Sequence, residues 1–147
     1  MRLVIQRAGK AELWIDNQCT AKIGRGLMVL FGTRQGDCEE SCQWLALKTV
    51  NLRLFEDDQG KMNRSVIEEG GEVLIVSQFT LYADTRKGRR PSYNEAMEPV
   101  AAEKLYDRYV QCVRDAGVPV QTGVFGAKME IKFTNDGPVT IIVDHDL

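Results

Sequence analysis

The sequence of 147 residues contains only one histidine and four cysteines. The histidine, His145, lies close to the C-terminal end, where disorder is common, so a Ser-His-Asp or Cys-His mechanism lacks a well-placed base. Cys38 and Cys42 stand at i, i+4 spacing on a predicted helix, but no second pair of ligands accompanies them. The pattern argues against a metal site and favours buried structural cysteines, reduced in the cytosol.

Signatures of nucleotide binding and of membrane insertion are also missing. There is no Walker A loop and no Gly-x-Gly-x-x-Gly, and no apolar run approaches the roughly 20 residues of a membrane span. The first residues lack the basic and apolar regions of a secretory signal. We therefore expect a cytoplasmic protein with no cofactor and no membrane contact, whose chemistry does not use the common side-chain machinery.

The charge is nearly balanced, with a formal net value of −2. Any contact with RNA must then come from a local patch, because phosphate binding needs clustered Lys and Arg. Four cations, Arg86, Lys87, Arg89 and Arg90, lie in one short segment closed by Pro91. Such a segment is typical either of a solvated loop or of a phosphate-binding patch.

The first and last thirds of the chain are predicted to form strands. Apolar or alternating runs cover residues 3–7, 11–15 and 26–32, separated by Gly9-Lys10 and by Asp16-Asn17. A continuous apolar run at residues 73–76, β-branched except at Leu74, is typical of a buried strand. The clearest period of two follows at Met129, Ile131 and Phe133, and residues 139–143 form the last predicted strand.

Two helices are predicted between these strands. Asp37 precedes Glu40 by three residues, which is the spacing of a capping box. Apolar residues then follow at helical intervals: Cys42, Trp44, Leu45, Leu47 and Leu52. The second helix begins with Pro99 in its first turn and ends before Gly117. Its apolar face consists of Leu105, Tyr109 and Val113. We predict one α+β domain over residues 1–147, with a mainly antiparallel, β-barrel-like sheet and two helices.

Two polar segments stand out from this pattern. Ser77-Gln78-Phe79-Thr80-Leu81 interrupts an apolar strand with three hydrogen-bonding side chains. It indicates either a strand reaching the sheet edge or a strand-end pocket, with Phe79 as a stacking surface for a base. Asn135-Asp136-Gly137-Pro138-Val139-Thr140 has the composition of a turn between two strands.

Together the two segments resemble the signatures of one family, the D-aminoacyl-tRNA deacylases, also called D-tyrosyl-tRNA deacylases. Two motifs of this length in this order are far more specific than either alone. Shorter matches extend the resemblance over nearly the whole chain: Ile5-Gln6-Arg7, Gly60-Lys61-Met62-Asn63, Arg90-Pro91-Ser92-Tyr93 and Thr122-Gly123.

The resemblance implies a homodimer of barrel-like subunits with active sites at the interface, acting on aminoacyl-tRNA. Residues Ser77, Gln78, Phe79 and Thr80 would line the pocket, with Phe79 against the terminal adenine. Gly137-Pro138 would be a cis dipeptide that reaches into the partner's pocket, held inward by Arg7. Further pocket residues implied in this way are Phe125, Ala127, Met129 and Asn135, and the tRNA-binding patch is Arg86, Lys87, Arg89 and Arg90.

The implied reaction is hydrolysis of the activated ester in D-aminoacyl-tRNA. A rigid backbone wall would exclude L-aminoacyl groups, whereas glycine, without a side chain, would pass it and be cleaved from glycyl-tRNA. We expect the ribose 2′-OH to assist catalysis, with backbone amides around Phe79 and Thr80 as oxyanion donors. Thr80 as a covalent nucleophile is the competing mechanism, although no nearby base is evident.

Two other functions remain as alternatives. A paralogous deacylase that removes L-alanine from non-cognate tRNA would depart from Ser-Gln-Phe-Thr, which this chain keeps, and Arg7 also favours the D-specific type. A non-catalytic nucleic-acid-binding factor on the same fold would rely on the basic segment at residues 86–90 instead of the pocket.

Overall fold

A computed structural model describes residues 1–146. The strands are β1 (Arg2–Ile15), β2 (Gln18–Ile23), β3 (Gly26–Gly32), β4 (Phe55–Glu56), β5 (Met62–Arg64), β6 (Glu72–Ser77), β7 (Val120–Thr122) and β8 (Glu130–Asp144). The helices are α1 (Glu40–Asn51) and α2 (Pro99–Asp115), and a short 3-10 helix covers Phe79–Tyr82. No helix within residues 1–146 is both long and apolar enough to cross a membrane.

The sheet is organised around the long strand β1. One edge of β1 pairs antiparallel with β3 and then with β2, and its other edge pairs antiparallel with β8. Strand β3 continues the sheet through parallel pairing with β6, which pairs in parallel with β7. Because β2 also contacts β6 and β7, the sheet curls into a nearly closed, mainly antiparallel barrel, as predicted.

The parallel pairing of β3 with β6 depends on a glycine. Gly26 lies opposite Glu72, and a Cβ atom at Gly26 would stand 1.8 Å from the Glu72 carbonyl oxygen. Only a residue without a side chain permits this approach of two backbones. The glycine thereby permits this pairing of β6, the strand that leads into the first signature segment.

Both faces of the sheet are buried. On one face, Val29 and Ile75 pack against α1 and α2, which contribute Leu45 and Tyr109. On the other face, inside the barrel, Leu13, Met28 and Leu74 belong to a second cluster with Ile23 and Val76. Burial on both faces explains why residues 73–76 form an uninterrupted apolar run.

The predicted bounds of the two helices agree with the structure better than the predicted apolar face of α1 does. Helix α2 begins at Pro99 because the Glu98 carboxylate caps it, accepting from the Ala101 amide at 2.7 Å. The prediction that Asp37 and Glu40 form a capping box for α1 is wrong. The Asp37 carboxylate accepts hydrogen bonds from the Arg34 amide and from the Met1 ammonium group instead. Helix α1 starts after Cys38 and ends before Leu52, and its Trp44 and Leu47 are exposed.

Two predicted turns are wrong, because the chain passes through them without reversing. Residues 3–15 form one strand, and the register against β8 shifts on both sides of Ala8. Residues 135–138 lie within β8, where Asn135 pairs with Ala8 but Thr140 pairs with Gln6, so the residues between them bulge out. The strand predicted through residues 77–81 ends at Ser77, and the 3-10 helix follows.

Candidate active site

A largely apolar cavity of about 650 Å³ opens at the C-terminal end of β6. Its walls come from the end of β6, from the start of α2 with the segment before it, and from the segment that leads into β8. Among the predicted site residues, the lining includes Ser77, Gln78, Phe79, Phe125, Ala127 and Met129. Six residues from two segments far apart in sequence are thus brought to one site, which is a strand-end pocket and not a solvated sheet edge.

The signature segment turns sharply at this cavity. The Gln78 amide donates to the Phe31 carbonyl at 2.7 Å, which closes β6 against β3, and the 3-10 helix then begins at Phe79. Within residues 1–146, no group accepts a hydrogen bond from the amides of Phe79 or Thr80. The amide of Phe79, a lining residue, and the adjacent Thr80 amide are therefore available to a ligand.

Two aromatic rings stand at the cavity. Phe79 is 58% exposed, and its ring centroid lies 5.0 Å from that of Tyr93 in an edge-to-face arrangement. Both residues line the cavity, so the exposed faces can stack on a planar group such as a base. Tyr93 was missing from the predicted site residues, although it belongs to the short family match at residues 90–93.

Ionisable side chains contribute little to this cavity. Glu98 is the carboxyl group in its lining, and its carboxylate is engaged as the cap of α2. His145 lies elsewhere, with Nδ1 3.0 Å from the Ser41 hydroxyl and its ring packed on Trp44. Cys42 is buried, and burial raises the pKa of its thiol to about 12, as expected of a structural cysteine. No metal-binding cluster of His, Cys, Asp or Glu occurs within residues 1–146.

The second signature segment does not line this cavity. The Gly137-Pro138 peptide bond is cis, and both residues are exposed on the bulge of β8. Gly137 has φ +123°, a conformation that favours glycine, and a Cβ there would stand 3.1 Å from Arg7 Nη2. The nearest lining residue on β8 is Ile131, and the four steps of extended strand from Ile131 to Asn135 span about 13 Å.

Arg7 is buried directly behind this bulge. Its Nη1 donates to the Leu54 carbonyl at 2.8 Å, and its Nε lies 3.2 Å from both the Asp136 carbonyl and an Asp136 carboxylate oxygen. Glu56 approaches Nη2 at 4.0 Å. The buried guanidinium therefore links β1 to β4 and to the residue that precedes Gly137.

Asn135 spans the bulge instead of lining the cavity. Its side-chain oxygen accepts from the Val139 amide at 3.2 Å, and its side-chain nitrogen donates to the Thr140 hydroxyl at 3.2 Å. The two contacts join the ends of the bulge across Gly137-Pro138. Thr80 is also outside the lining: it is exposed, and its hydroxyl accepts from the Gln78 side chain at 2.5 Å.

The basic segment forms an exposed loop between the 3-10 helix and Tyr93. Asp84 and Ser92 close the loop by two backbone hydrogen bonds of 2.7 and 3.0 Å. Arg86 is neutralised by Asp84 through a two-pronged pair with both distances 2.8 Å, and these hydrogen bonds lower the pKa of Asp84 to about 2. Among the described residues, Lys87, Arg89 and Arg90 have no carboxylate partner, so three cations face solvent.

Comparisons with known proteins identify the family of this chain. The model of the family described as D-Tyr-tRNA(Tyr) deacylase matches residues 4–144. A D-aminoacyl-tRNA deacylase from Parabacteroides distasonis is 54% identical over 98% of this chain and 97% of its own length. Another from Thermomicrobium roseum is 51% identical over 98% of this chain and 94% of its own length.

Solved structures share the fold over essentially the full length. One described as c-Myc DNA Unwinding Element Binding Protein has a TM-score of 0.94 at 36% identity and covers 100% of both chains. One described as a probable eukaryotic D-amino acid tRNA deacylase has a TM-score of 0.80 at 21% identity, with 98% of each chain covered, and shows the likeness of fold alone. The chain therefore belongs to the D-Tyr-tRNA(Tyr) deacylase family, the hydrolase family that its two signature segments predicted.

Proposed function

We propose that this protein hydrolyses the ester bond of D-aminoacyl-tRNA in the cavity at the end of β6, releasing the D-amino acid and free tRNA in the cytoplasm. The observation that carries the proposal is the cavity itself. It combines apolar walls with two exposed aromatic rings and the unengaged amide of Phe79, and the unengaged amide of Thr80 directly follows in the chain. These features suit an aminoacyl-adenosine end, whose base stacks on Phe79 while an oxyanion accepts from the amides.

Catalysis then depends on the substrate and on backbone groups. Water adds to the ester carbonyl carbon, the bond to the ribose 3′-oxygen breaks, and that oxygen takes up the proton. The neighbouring 2′-OH is the group that relays this proton, because the carboxylate of Glu98 is engaged elsewhere. An activated ester needs less acid–base assistance than an amide, so positioning and oxyanion stabilisation are sufficient.

Thr80 fits a positioning role better than the role of a nucleophile. Its hydroxyl accepts from the Gln78 side chain, and no carboxylate or imidazole within residues 1–146 accepts a hydrogen bond from it. A nucleophilic hydroxyl needs an adjacent base to remove its proton. A tRNA ending in 2′-deoxyadenosine and charged with D-tyrosine tests this mechanism: we expect its hydrolysis to fall about hundredfold or more, the contribution of a general acid–base group. An undiminished rate would contradict the role of the 2′-OH.

The proposal includes a chiral wall supplied by a second subunit. Gly137-Pro138 is exposed and lies away from the cavity of its own chain, while Arg7 and Asn135 hold it in place. In a homodimer this bulge enters the partner's cavity and excludes L side chains by contact. Light scattering of the purified protein is expected to show a dimer, and a monomer with full discrimination would contradict the cross-subunit wall.

Glycyl-tRNA provides the sharpest test of exclusion as the mechanism. The purified protein should hydrolyse D-tyrosyl-tRNA and glycyl-tRNA, because glycine has no side chain to meet the wall. If D-tyrosyl-tRNA were cleaved while glycyl-tRNA resisted, discrimination would rest on attraction to the D side chain. If neither were cleaved, the proposed function would be wrong.

A second candidate is a nucleic-acid-binding factor without catalysis. It is favoured by the solved structure at 36% identity, which is described as a DNA-unwinding element binding protein, and by the free cations Lys87, Arg89 and Arg90. Salt-dependent DNA binding without D-tyrosyl-tRNA hydrolysis would support this candidate. Release of alanine from L-alanyl-tRNA would instead point to the paralogous proofreading deacylase.

A further inference from the structure

The bulge of β8 is anchored by a second arginine besides Arg7. Arg25, in the connection between β2 and β3, places Nη1 3.4 Å from the same Asp136 carboxylate oxygen that approaches Arg7 Nε. Asp136 directly precedes Gly137. The carboxylate is therefore held from two sides, by a buried guanidinium and by a half-exposed one.

Arg25 is itself held in place at three points, two on its side chain and one on its backbone. Its Nε donates to Glu69 at 2.8 Å, its guanidinium lies 5.3 Å from the centroid of the buried Phe55 ring, and its carbonyl accepts from the Glu72 amide at 3.2 Å. A guanidinium can serve two carboxylates at once because its donors form a rigid fork. The fork of Arg25 thus ties Asp136 to the loop that carries Glu69.

We infer that Arg25 is a positioning residue for the chiral wall: it fixes Gly137-Pro138 through the Asp136 carboxylate. The inference rests on the proposed role of Gly137-Pro138 as that wall. Arg7 and Asn135 restrain the bulge from behind and across its base, whereas Arg25 restrains it from the side of the β2–β3 connection. A backbone wall excludes the L side chain only while it stays in a fixed position. Greater mobility of Asp136 would therefore let Gly137-Pro138 move aside and L-aminoacyl groups bind.

The test is the ratio of kcat/KM for D-tyrosyl-tRNA to that for L-tyrosyl-tRNA in Arg25→Gln. A matched control is Arg108→Gln, because Arg108 is 44% exposed and pairs with Glu39 at 2.7 Å, against 46% and 2.8 Å for Arg25 with Glu69. We expect Arg25→Gln to lower the ratio about fivefold, which corresponds to about 1 kcal/mol. The change should lie in faster L-ester hydrolysis, with KM for the D-ester and the melting temperature matching the control.

A second variant acts on Asp136 only through Arg25. Glu69→Gln removes the carboxylate that orients the guanidinium and should lower the ratio in the same direction by a smaller factor. An unchanged ratio in both variants, or an equal fall in Arg108→Gln, would overturn the inference while leaving the proposed function intact. Failure of the wild-type protein to hydrolyse D-tyrosyl-tRNA would overturn the proposed function, and the inference with it.

Discussion

Replacement of Arg7 by methionine should weaken both the fold and the chiral discrimination. Methionine has a similar length and fills the buried space without charge. The Leu54 carbonyl would lose the donor that now lies at 2.8 Å, in a buried setting. Asp136 would lose one ion pair, but its carboxylate is 37% exposed and keeps Arg25 at 3.4 Å.

The magnitude follows from these two losses. An unsatisfied buried carbonyl costs about 1–3 kcal/mol, and a half-exposed ion pair contributes up to about 1 kcal/mol. We expect a net loss of about 2–3 kcal/mol in the free energy of unfolding, since the Leu54 carbonyl dominates and the methionine packs well. For a chain of this size that loss lowers the melting temperature by about 4–12 °C.

Urea unfolding of Arg7→Met beside Arg108→Met measures this change with a matched surface control. Deacylation of D- and L-tyrosyl-tRNA, assayed well below the melting temperature, measures discrimination in the same samples. A change below about 0.5 kcal/mol in unfolding free energy, the scale of ordinary surface substitutions, would refute the buried-anchor reasoning. A large loss of stability with an unchanged D/L ratio would show that Arg7 acts on folding alone.

Three further predictions concern other parts of the chain. Thr80→Ala should reduce single-turnover hydrolysis by less than about tenfold, the value of one exposed hydrogen bond, and a loss of a thousandfold would restore Thr80 as nucleophile. Tyr109→Phe should destabilise the fold by about 1 kcal/mol in urea unfolding, because it removes the hydroxyl that is hydrogen-bonded to the buried Thr49 hydroxyl. Lys87→Gln should reduce the slope of tRNA affinity against salt by about one, while Arg86→Gln should change it little, because Asp84 already neutralises Arg86.

The sequence predicts those parts of the fold that are determined by local pattern. The β-branched run of β6 and the proline at the start of α2 are confirmed at their predicted positions. Family membership also follows from local segments, because the two signatures are contiguous. The position of Ser77, Gln78 and Phe79 in the lining of one cavity agrees with the strand-end interpretation of the first segment.

The errors arise where a partner distant in sequence decides the local structure. The segments around Gly9 and Gly137 have the composition of turns. Each nevertheless lies in an irregular stretch of a paired strand, because β1 and β8 pair with each other along their length. Composition does not distinguish a bulge from a turn, since both favour glycine. The sequence predicts that Asp37 caps α1, but its carboxylate forms an ion pair with the Met1 ammonium group instead.

The positions of Asn135 and Tyr93 illustrate the same limit within the site. The family resemblance suggested Asn135 as a pocket residue, whereas its side chain spans the bulge. Tyr93 reaches the cavity only because the loop between Asp84 and Ser92 folds back on itself, which no local pattern indicates.

The most direct test of the account is parallel single-turnover deacylation of D-tyrosyl-tRNA and L-tyrosyl-tRNA by the purified protein in buffer without added metal. The account predicts rapid release of D-tyrosine, with the L-ester hydrolysed no faster than in the absence of protein. Equal hydrolysis of both esters would contradict the chiral wall, and hydrolysis of neither would contradict the proposed activity itself.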